Sequence, residues 1–102
     1  MPRATFIEPD GKRRTIQIAV GTTLLEGARA NGIAGIEGTC GGECACTTCH
    51  CYVEKSWLWL LPTMSPAEGA LLATLPNRRD SSRLTCQLSM KAMLDGIILK
   101  VV

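Results

Sequence analysis

The chain has 102 residues, a formal net charge of +2, 46% hydrophobic residues and only 4% aromatic ones. That length sets one domain, spanning 1–102, whose core must be filled by aliphatic side chains. The basic residues form no dense patch and have no set of base-stacking aromatics beside them, which argues against nucleic-acid binding. No apolar run approaches the ~18 residues of a membrane span.

Taken in order, residues 1–9 are polar and strand-like, without the basic and apolar regions of an export signal. This predicts a cytoplasmic chain with reduced thiols. Thr5-Phe6-Ile7 and Thr15-Ile16-Gln17-Ile18-Ala19-Val20 read as two strands, the second alternating at Ile16, Ile18 and Val20. Pro9-Asp10-Gly11 between them carries the Asp-Gly signal of a hairpin. Lys12-Arg13-Arg14 reads as its solvated turn. Thr23 and Glu26 form a capping box that opens a short helix, to about Ala30 or Asn31, with Gly32 near its C-terminal cap. A glycine-rich stretch, 35–42, then lets backbone approach a buried centre. Cys51-Tyr52-Val53-Glu54 reads as a strand. Ser65-Pro66-Ala67-Glu68 starts a second helix that should run to about Leu75 and stop before Pro76. Residues 84–88 carry Cys86, Leu94-Asp95-Gly96 is a turn, and residues 97–102 form a last strand. A hairpin, a helix, then scattered short strands with a small helix predict an α+β domain.

Five of the six cysteines crowd into residues 40–51, and Cys86 stands alone further on. A core does not use cysteine this way. A loop that wraps a metal centre, and takes a last ligand from a distant element, does. Four thiolates suit an iron–sulfur cluster or zinc. One spacing is C-x5-C-x2-C followed by a distant fourth residue: Cys40, Cys46, Cys49 and Cys86. The plant-type spacing would need a cysteine at position 41, which is Gly41. A structural zinc site usually takes two short pairs, and only Cys46 and Cys49 make one here. The zinc reading makes the chain a zinc-binding interaction module.

The spacing, together with Phe6 to Gly11, Gly21 to Gly32, Ser82-Arg83-Leu84-Thr85-Cys86-Gln87 and Leu94-Asp95-Gly96, resembles the adrenodoxin-like ferredoxins over almost the full length. The resemblance implies one 2Fe-2S cluster on a ubiquitin-like β-grasp fold. It implies Cys40, Cys46, Cys49 and Cys86 as the metal ligands, with Cys44 and Cys51 outside the set. It also implies a monomeric one-electron carrier rather than an enzyme, with no catalytic residues. Backbone N–H groups of the loop from Gly41-Gly42 to Thr48 would donate to sulfur and help set the potential. His50, the only histidine, is expected to be a structural hydrogen-bonder that ties the cluster loop to the fold.

Two roles follow from the resemblance. One carries electrons from an NAD(P)H-dependent FAD ferredoxin reductase to a cytochrome P-450 monooxygenase. The other supplies electrons to iron–sulfur cluster-assembly proteins. In this family the helix before the fourth ligand is rich in acidic residues that dock partners. Here Pro66, Ala67, Ala70 and Ala73 stand in their place and only Glu68 keeps a charge. Glu68, Asp80 and the Glu37/Glu43 rim are then the expected negative features of the docking face. Trp57 and Leu60 are expected to pack in the core, and Trp59 to be exposed for apolar docking.

Overall fold

The computed structural model describes residues 1–36 and 49–102. Within them the chain forms β1 (Arg3–Ile7), β2 (Arg13–Gln17), α1 (Leu24–Ala30), β3 (His50–Val53), α2 (Lys55–Leu58), α3 (Pro66–Ala73), β4 (Ser82–Leu84) and β5 (Ile97–Val101). Thr85–Gln87 and Ala92–Leu94 are single 3-10 turns. One mixed sheet runs in the order β2-β1-β5-β3-β4. β1 and β5 are parallel, and every other pair is antiparallel. This is the β-grasp arrangement expected of the sequence.

The hairpin forms as its turn residues dictate. Gly11 adopts φ of 91° and its N–H bonds the Glu8 carbonyl, while the Asp10 carboxylate accepts the Lys12 N–H. β2 is shorter than the alternation suggests. It ends at Gln17; Ile18 is still buried, but Val20 is 62% exposed. Beyond Ile18 the chain turns into α1, and the Gly21 N–H bonds the Met90 carbonyl instead of a strand neighbour.

α1 starts as expected, with the Thr23 hydroxyl accepting the Glu26 N–H at 3.1 Å. Gly27 is required where α1 packs on Ile18, just past the end of β2, because a Cβ there would lie 2.6 Å from the Ile18 side chain. Gly35, at φ of +90°, is required where the chain leaves for the cysteine-rich segment: a Cβ would lie 2.7 Å from Val101. Arg14 is more than a solvated turn residue. Its guanidinium donates to the Asn31 and Gly32 carbonyls at the C-terminus of α1 and lies 3.6 Å from the Glu8 carboxylate. A cation there also complements the helix dipole.

One face of the sheet supplies Ala4, Phe6, Ile16, Ile97, Leu99, Val101, Val53 and Cys51 to the core, against Leu24, Leu25 and Ala28 of α1. Each fully buried aliphatic side chain contributes roughly 1.5–3 kcal/mol. α2 was not foreseen. It is one turn that lets Trp57 fold back over Gly96, 3.5 Å from the space its Cβ would take. α3 begins at the Ser65 cap as expected but stops at Ala73 rather than Leu75, where the Thr74 hydroxyl bonds the Leu71 carbonyl.

Candidate metal centre

Of the four expected ligands, Cys49 and Cys86 lie among the described residues. Cys40 and Cys46 lie outside them, as do Cys44, Gly41, Gly42, Thr48, Glu37 and Glu43. The half of the site that is described is built by the pairing of β3 with β4. Its register sets His50 against Leu84, Cys51 against Arg83 and Tyr52 against Ser82. One step further along this register, Cys49 faces Thr85. The Thr85 N–H donates to the Cys49 carbonyl at 3.1 Å, and the Thr85 hydroxyl donates to the same oxygen at 3.0 Å. Cys86 follows immediately in the 3-10 turn. Two cysteines 37 positions apart in the chain are thereby joined through one carbonyl oxygen.

Both side chains are buried, and the Gln87 amide lies 3.4 Å from the Cys86 sulfur as a donor. Soft sulfur donors shielded from water, with the Gln87 amide donating to Cys86, fit an iron–sulfur cluster: burial and hydrogen bonds to sulfur tune such a group. Cys51 is different. It is completely buried on β3 between Arg83 and Val101, and burial, with Cys49 nearby as a lesser cause, pushes its thiol well up. It packs as a small hydrophobe.

His50 takes the structural place expected of it. Its Nε2 shares a 2.8 Å hydrogen bond with the Ser82 hydroxyl, which also accepts the Arg79 N–H. The ring stands edge-on to Tyr52, with centroids 5.2 Å apart. Burial lowers its pKa, which favours the neutral imidazole. The start of β3 is thus bonded to β4 on both sides of the residue that carries Cys49 into the sheet.

Glu68 overturns its expectation as a docking charge. It is 1% exposed and turns inward from α3. Its carboxylate accepts from Arg83 Nε at 2.8 Å, from Arg83 Nη2 at 3.2 Å and from the Leu84 N–H at 2.9 Å. Arg83 Nη1 donates to the Pro62 carbonyl at 3.0 Å. The ion pair bolts α3 onto the strand that leads to Cys86. Sequence reasoning missed this role. The available signal was an arginine in a strand position next to an apolar residue, with one acid left on an otherwise neutral helix. As a result α3 shows no exposed charge: its outward residues are Pro66, Ala67, Ala70 and Ala73. Trp57 and Leu60 are partly buried against the core and Trp59 is 80% exposed, as expected. Trp59 is the C-cap of α2, which follows the end of β3 opposite to Cys49.

The family model of the 2Fe-2S iron-sulfur cluster binding domain, Fer2, matches residues 7–91. Among curated relatives, the 2Fe-2S ferredoxin CtmE of Castellaniella defragrans is 38% identical over 97% of this chain and 92% of its own length. Among solved structures, a chain of the covalent putidaredoxin reductase–putidaredoxin complex superposes with a TM-score of 0.93. It is 36% identical, over 97% of this chain and 96% of that one. The ISC-like [2Fe-2S] ferredoxin FdxB from Pseudomonas putida JCM 20004 superposes with a TM-score of 0.84 at 30% identity, covering 100% of this chain and 93% of that one.

Proposed function

The chain belongs to the 2Fe-2S iron–sulfur cluster binding domain family, as an adrenodoxin-like ferredoxin, and from that premise we propose that it carries single electrons from an NAD(P)H-dependent FAD ferredoxin reductase to a cytochrome P-450 monooxygenase. It is an electron carrier with one 2Fe-2S cluster, not an enzyme. When bound, the cluster supplies one-electron chemistry between its Fe(III)Fe(III) and Fe(III)Fe(II) states. Cys40, Cys46, Cys49 and Cys86 are the proposed ligands. Thr85 holds the Cys49 segment against the Cys86 turn, Gln87 donates to the Cys86 sulfur, and the aliphatic core around them excludes water. Excluding water strengthens each of those dipoles at the site where charge is gained.

The observation that supports the P-450 reading is the likeness to a chain from a reductase–ferredoxin complex, 36% identical against 30% for the ISC-like ferredoxin. The absence of exposed charge on α3 bears on how partners dock. Contact there rests on shape and apolar surface more than on charge steering. The test is a reconstituted chain of NAD(P)H, an FAD ferredoxin reductase, this protein and a P-450. NAD(P)H oxidation coupled to substrate hydroxylation is expected. Support of cluster assembly in a reconstituted system, with no P-450 turnover, would transfer the role to the assembly pathway.

A further inference from the structure

We infer that Thr85 is a positioning residue for the cluster, its hydroxyl clamping the Cys49 carbonyl so that Cys49 and Cys86 are held together by the fold itself. The inference rests on the proposed ligand set. Thr85 is fully buried, so its hydroxyl has no water to turn to. It donates to the Cys49 oxygen at 3.0 Å, and the Thr85 N–H takes the same oxygen at 3.1 Å. A carbonyl oxygen has two lone pairs, and these two donors use both. Any residue at this position would supply the N–H. The hydroxyl is what this chain adds.

Two consequences follow. First, a ligand segment that is already ordered loses less freedom when metal binds, and it strays less once metal is bound. Secondly, the hydroxyl hydrogen offsets the negative end of the Cys49 carbonyl, close to where reduction adds negative charge. Without that hydrogen the oxidised state gains relative to the reduced one, and the midpoint potential moves to a more negative value.

The experiment compares holoprotein of wild type, Thr85→Val and Thr85→Ser. Cluster loss under an iron chelator is followed by visible absorption, and the midpoint potential by spectroelectrochemical titration. Val keeps the shape and removes the hydroxyl; Ser keeps the hydroxyl. Thr85→Val should lose its cluster about fivefold faster, as expected for one lost buried hydrogen bond, and should have a more negative potential. Thr85→Ser should restore both. If Thr85→Val matches wild type in both, the clamp is refuted. If Thr85→Ser, which keeps the hydroxyl, changes as much as Thr85→Val, the hydroxyl is not the cause and the clamp is again refuted. Should Thr85→Val fail to fold, Thr85→Ala deletes the same hydroxyl without crowding and is read the same way. Cys49→Ser and Cys86→Ser run in parallel. A wild-type spectrum in either would sink the ligand assignment, whereas bleached cysteine variants beside a wild-type-like Thr85→Val would sink the clamp alone.

Discussion

Replacing Glu68 with Gln removes one negative charge from the interior and leaves the Arg83 guanidinium, with 8% of its side chain exposed, without its counter-ion. The carboxylate now satisfies three donors: Arg83 Nε, Arg83 Nη2 and the Leu84 N–H. A Gln side chain has one carbonyl oxygen, and its NH2 group would face a donor at the second position. Breaking a buried ion pair on one side costs about 3–5 kcal/mol, since an uncompensated charge stays buried. A domain of this size loses about 4–8 °C in Tm per kcal/mol, so Glu68→Gln should lower Tm by about 12–40 °C. Thermal unfolding of the holoprotein, followed by circular dichroism, reads the loss. The double variant Glu68→Met/Arg83→Met should be less destabilised than the sum of its single variants, because no unpaired charge remains. A Tm within about 4 °C of wild type for Glu68→Gln, or strict additivity in the double variant, refutes the keystone reading. Slower electron transfer at unchanged Tm would return Glu68 to the docking surface.

Replacing any of Cys40, Cys46, Cys49 or Cys86 with Ser should abolish or severely weaken the visible absorption of the cluster, while Cys44→Ser and Cys51→Ser keep it; absorption spectra of the six purified variants decide. Removing iron with acid or a chelator should lower the thermal midpoint, because a cluster held by the proposed ligands would join two distant segments and its binding would add to folding free energy; apoprotein as stable as holoprotein would exclude this. Electron transfer to the proposed P-450 partner should depend weakly on salt, since α3 presents no exposed charge to be screened over the ~10 Å Debye length at 0.1 M; stopped-flow rates that fall steeply with ionic strength would contradict it. Trp59→Ala should leave the colour intact and move stability by no more than about 0.5 kcal/mol, because a ring that is 80% exposed has little burial to lose.

By itself the sequence determined what depends on neighbours a few residues apart. Asp10-Gly11 made the hairpin, since a glycine at positive φ closes that turn whatever surrounds it. Thr23 and Ser65 opened their helices, since a hydroxyl reaches an N–H three residues on without help from the rest of the fold. The crowding of Cys40 to Cys51, with Cys86 apart, specified metal–thiolate chemistry, and the wider motif set specified the family. The tertiary structure decided what depends on pairing across the chain. Val20 continued the apolar alternation but had no strand partner, because β2 ends at Gln17 and the chain turns away. Glu68 looked like a surface acid, because the arginine that draws it inward lies 15 residues away on another strand. Arg14 looked solvated, because the helix end it caps is 17 residues further on. Thr85 carried no signal at all until the β3–β4 register set it opposite Cys49. A side chain's partners at such separations are chosen by strand order and register, which no short window of residues contains.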